Sequence, residues 1–210
     1  MMRLILVFTC LWAVVCVTTK IEHGPAPIVE WRVKMVDSIP LTQAKSLGKF
    51  KVTYYWIVPE ENYPGRREVP LYLADGKLLG YYPRKFVADF KKESVARLRD
   101  GRLISYLKRK QRVCIVAEPL GCKGFTLTTL KSVAVDTHLI PLGSELYIPH
   151  YERLYLGPNG VHNGIFYAHD VGSQVRGNHI DIYLGEKDNL KYLTSKSGRG
   201  AGQVDVYLLK

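Results

Sequence analysis

Three aspartates are the residues of this chain best placed to do chemistry: Asp136, Asp170 and Asp181. Asp136 ends the run "SVAVD", Asp170 ends "FYAHD", and Asp181 sits inside "HIDIYL". Each run is apolar and β-prone, and burying an unpartnered charge there is costly. If the strand ends converge on one mouth of a barrel, the three carboxylates face one groove. Like charges in a partly desolvated groove cannot all ionise cheaply, so at least one pKa must rise. A carboxyl still protonated near neutral pH is the general acid that glycosidic cleavage uses. The plainer alternative is that each aspartate caps a turn through its own backbone. Asp181 resists that reading, since "HIDIYL" alternates like a strand and has no turn residue beside the aspartate.

The loop after Asp170, "VGSQVRG", adds Gly172 and Gly177, which allow close backbone approach to a ligand, and Arg176, which can pair with a carboxylate or a sugar hydroxyl. It is not a phosphate-binding P-loop, because no Lys-Ser or Lys-Thr follows Gly177. Other chemistries fare worse. No G-x-S-x-G gives Ser173 a nucleophile elbow, no H-E-x-x-H is present, and the six histidines lack a tight metal spacing. No metal or cofactor is therefore expected. His169 and His179 lie near aspartates and either orient them or are ordinary strand residues. The 14 tyrosines suit sugar stacking and β-structure alike.

The elements that must position these residues are mostly strands. "FKVTYYWIV" is β-branched and aromatic and ends at Pro59, and "VPLYLADGKLLGYY" holds a hairpin turn at Asp75-Gly76. Apolar spacing at Val87, Phe90, Val95 and Leu98 predicts a short helix before Asp100-Gly101. The short strands "RVCIVAE", "KSVAVD", "SELYIP", "GIFYAHD", "HIDIYL" and "QVDVYLL" follow, separated by Gly, Pro and Asn. This pattern reads as a compact β-barrel or sandwich, with no internal repeat.

The chain has 210 residues, 47% hydrophobic and 23% charged, enough to bury a sizeable core. Arg3 precedes the uncharged run "LILVFTCLWAVVCV", residues 4–17, too short for a comfortable span and suited to an export signal. No clean small-residue cleavage site follows, so residues 1–19 read as a signal peptide or a membrane anchor. Residues 20–48 read as a linker or N-terminal arm. Export would leave Cys114 and Cys122, which either close a small disulfide loop or remain two free thiols. The formal net charge of +11 favours a polyanionic partner. An exported protein seldom meets nucleic acid, so anionic cell-wall polymers are the expected partner.

The stretches "VAVDTHLIPLGSELYIP", "AHDVGSQVRGNHIDIYLG" and "GQVDVYLLK" resemble the three-aspartate, or 3D, domain. They are also similar to the catalytic barrel of the membrane-bound lytic transglycosylase A family. The similarity covers Lys49–Tyr55 and Ser132–Lys210. It implies a mainly β fold: a six-stranded double-psi β-barrel over residues 49–210, interrupted by a helix-containing insertion at 59–113. It implies an exported bacterial protein that cleaves peptidoglycan glycan strands between N-acetylmuramic acid and N-acetylglucosamine, leaving 1,6-anhydromuramyl ends. By motif, Asp181 matches the catalytic acid/base, and Asp170 and Asp136 match the other two signature aspartates. Thr53 matches a groove threonine on an early strand, with Tyr55 beside it. The loop departs from the family's D-x-G-G-A-I-K-G, since Ser173, Gln174 and Arg176 replace Gly, Ala and Lys. A non-catalytic glycan-binding barrel and a carboxylate-dyad hydrolase are the competing classes.

Overall fold

The computed structural model describes residues 44–194 and 202–209, so the expected leader and most of the expected arm lie outside the described residues. The barrel strands are β1 (Lys45–Tyr55), β8 (Ser132–Ala134), β9 (Glu145–Tyr155), β10 (Val161–Asp170), β11 (His179–Tyr183) and β12 (Gln203–Leu208). They close in the order β1-β11-β8-β10-β9-β12. The first strand therefore begins at Lys45, inside the stretch read from sequence as an arm.

The ring has a pseudo-twofold logic. Strand pairs β1/β11 and β8/β10 are parallel, and the other four pairs are antiparallel. Matching β1, β8, β9 with β10, β11, β12 reproduces every pairing and its sense. Each strand pairs only with strands of the other half, so neither half is a sheet without its mate. That interlocking is the double-psi barrel expected from the sequence. The repeat is topological, with no detectable counterpart in the residues.

Period-two alternation fills the barrel. Phe50 and Val52 from β1, Phe166 and Ala168 from β10, and Ile180 and Ile182 from β11 all point into one buried core. The intervening residues of β1 and β11, Thr53 and Asp181, are thereby turned to the outer face, and the two are register partners.

The insertion runs between β1 and β8. It comprises β2 (Val58–Pro59), β3 (Arg67–Tyr72), β4 (Leu78–Pro83), helix α1 (Arg84–Glu93), β5 (Val95–Arg97), β6 (Leu103–Leu107) and β7 (Arg112–Val116). Strands β2, β5, β6 and β7 form one sheet in that order, and β3 pairs β4 through the turn at Asp75-Gly76. Its own core gathers Phe86, Val87 and Phe90 from α1 with Ile104 and Val113. The helix is shorter than its apolar spacing predicts. Ser94 adopts a left-handed backbone (φ +70°) and stops it, so Val95 belongs to β5 and Leu98 to the turn beyond. A third cluster, including Tyr55, Val95, Ala134, Val175 and Tyr183, packs the insertion sheet against the outside of the barrel.

Candidate active site

Asp181 projects from β11 into a cavity of about 380 Å³ between the barrel and the insertion. The Thr53 hydroxyl donates to its Oδ1 at 2.6 Å. With its only proton so committed, Thr53 Oγ1 accepts from His179 Nε2, 2.8 Å away. Burial pushes the Asp181 carboxyl above the usual carboxylate range, while the Thr53 bond, His179 and Lys92 pull the other way. Desolvation prevails because few donors reach the carboxyl.

Asp170 reaches the same cavity by a different device. On β10, strict alternation would send it into the core with Phe166 and Ala168. The pairing with β8 slips by one residue between Ala168 and Asp170, leaving His169 as an extra residue. Such a bulge re-aims the side chain that follows it. Asp170 Oδ1 accepts the Val171 N–H at 2.8 Å, and Oδ2 accepts the Tyr55 hydroxyl at 3.2 Å. Burial raises its carboxyl too, opposed by these bonds, by Lys108 and by the Cys122 N–H. Tyr55 is itself held far above the usual phenol value by burial and by Asp170 and Asp181, so it stays a donor.

Asp136 does not join this pair. It is buried, but its Oδ2 accepts the Gly177 N–H at 2.8 Å and its Oδ1 accepts the His138 N–H at 3.0 Å. These donors hold its carboxyl well below the usual range, with the Gly177 bond the largest effect. Two aspartates therefore share the cavity, their carboxyls raised chiefly by burial, and the third ties the 171–178 loop to the turn after β8.

The loop residues also divide. Gly172 lines the cavity, but a Cβ there would clash with Val175 Cγ2, so the glycine makes room for its own loop. Gly177 has φ +61° and gives its N–H to Asp136, outside the cavity lining. Arg176, expected to face a ligand, donates instead to its own loop at Val175 O, 3.2 Å away. Thr53 and Tyr55 both line the cavity.

The alternative of a Cys114–Cys122 bridge is not realised, and both thiols are free. Cys114 is held in β7 opposite Ser105, while Cys122 follows Gly121, whose missing Cβ leaves space for His169 O on the barrel. The two cysteines thus answer to different bodies, the insertion sheet and the Asp170 loop. Among the described residues, no three His, Cys, Asp or Glu side chains gather to hold a metal ion.

Residues from the insertion complete the cavity. Lys91, Lys92, Glu93 and Ser94 at the end of α1 line it, with Lys108 after β6 and Lys51 from β1. The run "FKKES" has the composition of a solvated basic face, and nothing in that composition distinguishes a cavity wall from one. A second cavity of about 820 Å³ adjoins, lined by Trp56, Tyr63, Asp89 and Lys187 among others, and shares Lys92 and Glu93 with the first.

Residues 131–210 match the model of the 3D domain. Over 77 residues the chain is 34% identical to YabE of Bacillus subtilis (strain 168), named for cell wall shaping, covering 33% of this chain and 16% of that protein. The chain thus matches only a small part of that relative's length. The fold is shared with E. coli MltA with bound chitohexaose, at 17% identity, over 77% of this chain and 71% of that one, with a TM-score of 0.52. It is shared also with a membrane-bound lytic murein transglycosylase from Agrobacterium tumefaciens, at 13% identity, over 77% and 73%, with a TM-score of 0.50.

Proposed function

We propose that this chain, whose residues 131–210 match the 3D domain, acts on peptidoglycan as a lytic transglycosylase. The observation that carries the reading is the partly buried Asp181 carboxyl, raised above the usual carboxylate range by desolvation and fixed by Thr53 on the wall of a cavity. Its surroundings suit one group that works first as acid and then as base. Asp181 gives its proton to the oxygen between N-acetylmuramic acid and N-acetylglucosamine as the bond from that oxygen to the anomeric carbon breaks. The resulting carboxylate then takes the proton of the same sugar's 6-hydroxyl, whose oxygen closes on the anomeric carbon. No water is consumed, and the intramolecular attack supplies the effective concentration that a second protein nucleophile would otherwise provide.

Asp170 accepts from Val171, Tyr55 and the Cys122 N–H, donors that favour its ionised form against burial, and as a carboxylate it would place a negative field beside the developing oxocarbenium charge. Asp136 acts at one remove by holding the loop that shapes the wall. The substrate lies outside the cytoplasm, in keeping with the export signal read in residues 4–17.

Digestion of purified sacculi by the full chain, with mass analysis of released fragments, tests the reading. Anhydromuramyl ends are expected. Reducing ends would instead make the protein a hydrolase, and binding without release would make it a glycan-binding barrel.

A further inference from the structure

Glu93 is a carboxylate where helix physics least favours one. It is the last residue of α1, at the negative end of the helix dipole, and it is only 9% exposed. A stability role alone would be served better by an apolar or basic residue. Its surroundings are polar and asymmetric. Within its own helix, Lys92 Nζ lies 3.6 Å from Oε1, but that lysine is itself largely exposed and its charge is screened. From the residue just after β1, the Trp56 N–H donates to the carboxyl. The same cavity is lined by Asp181 and His179 from β11, Asp170 from β10, Tyr55 and Lys51 from β1, Lys91 from α1 and Lys108 after β6. The adjoining cavity brings Asp89, Glu61, Lys85 and the charged run Glu186, Lys187 and Asp188.

We infer that Glu93 is a third acidic group of the site, beside Asp170 and Asp181, and that it is coupled to Asp181 across the cavity between barrel and insertion. It acts as a positioning residue through Asp181, and its consequence for catalysis rests on the transglycosylase reading above. Glu93 and Asp181 line the same cavity from the insertion and the barrel, and an interaction between two charges is reciprocal. Burial raises the Glu93 carboxyl, Lys92 lowers it, and the Asp181 charge raises it again. Two carboxyls coupled in this way lose protons in steps that belong to the pair, and the last proton is held more tightly than either residue alone would hold it. The insertion thereby tunes the barrel's acid, which gives it a part in the chemistry beyond walling the groove.

Carboxyl carbon-13 NMR titration of the full chain tests this without any substrate. In Asp181→Asn the Glu93 midpoint should fall by about one unit, the coupling that defines such a pair. A Glu93 midpoint unmoved by Asp181→Asn overturns the inference, whether or not the protein proves to cleave glycan. Glu93→Gln keeps size and an acceptor for Trp56, and should move the alkaline limb of kcat/KM on soluble glycan to lower pH. It should leave the rate on the acid side within about threefold, as a residue acting only through a pKa would. An equal loss at every pH would make Glu93 a structural staple and overturn its tuning role. If Glu93→Gln fails to fold, the Asp181→Asn titration still decides the coupling.

Discussion

The Thr53 hydroxyl lies 2.6 Å from Asp181 Oδ1, between register partners on the parallel strands β1 and β11. One hydrogen bond therefore joins the two interlocked halves of the barrel at the group proposed to move the proton. Donation from Thr53 favours the ionised carboxylate and opposes the effect of burial. Thr53→Val removes that donation at similar size, so the Asp181 pKa should rise. A hydrogen bond to a charged group is worth about 1.5–3 kcal/mol, or roughly one to two pH units. The alkaline limb of the rate profile should move up by that amount, while the maximal rate falls about tenfold as the carboxyl loses its orientation. Thr53→Ser should restore both, and a pH-rate series on the three proteins reads the outcome.

Asp181→Asn should reduce release of anhydro ends by about 10²- to 10⁴-fold, the usual contribution of a general acid. The same substitution should raise stability at neutral pH. A carboxyl whose folded pKa is raised binds its proton more tightly in the native state, so wild-type stability declines as pH climbs from the unfolded value through the folded one. The amide carries no such penalty. Thermal unfolding should show a gain of about 2 °C at pH 7 that vanishes near pH 4 and below. Activity within about threefold of wild type would instead move the acid role, with Asp170 next to be examined.

Asp136→Asn should behave in the opposite sense. Its folded pKa is depressed by the Gly177 and His138 N–H groups, so its stabilisation is present above the unfolded value and lost as pH falls through the folded one. The variant should melt below wild type at pH 7, and the two should converge as pH drops below about 4. Activity should fall less than in Asp181→Asn, because Asp136 orders a loop and does not line the cavity. Melting curves across pH, paired with one rate at pH 7, separate the two roles.

Much of this was legible in the residues. The alternation in "FKVTYY" and "HIDIYL" announced which face Thr53 and Asp181 would take, because a strand has only two faces. Asp170 was legible as a groove aspartate from its place at a strand end, but the bulge that turns it there was not, since it depends on the pairing with β8. Asp136 looked identical to Asp170 at the end of an apolar strand. What separates them is which backbone N–H groups fold back onto each, a tertiary fact. The helix in the insertion ran short because Ser94 took a left-handed backbone, which apolar spacing does not register. Glu93 was invisible for a related reason. In "FKKES" it looks solvated, and only the packing of α1 against β2, β3, β4 and β5 brings it to the cavity wall.

Charge gives the last prediction. Lys51, Lys91, Lys92 and Lys108 all line the cavity that holds Asp170 and Asp181. The positive field is therefore at the site as well as in the overall charge of +11. Each of these lysines is exposed, so its attraction is screened over about 8 Å at physiological ionic strength. Substrate approach should feel that screening, whereas proton transfer inside the cavity should not. Raising salt should weaken sacculus binding and raise KM for glycan fragments that keep their peptide carboxylates, with kcat nearly unchanged. Neutral chitooligosaccharides offered to the same protein should show a much flatter salt dependence. Lys108→Gln should reproduce part of the high-salt KM at low salt. If neutral and anionic fragments respond alike, the lysines serve the solubility of the surface and not the recognition of substrate.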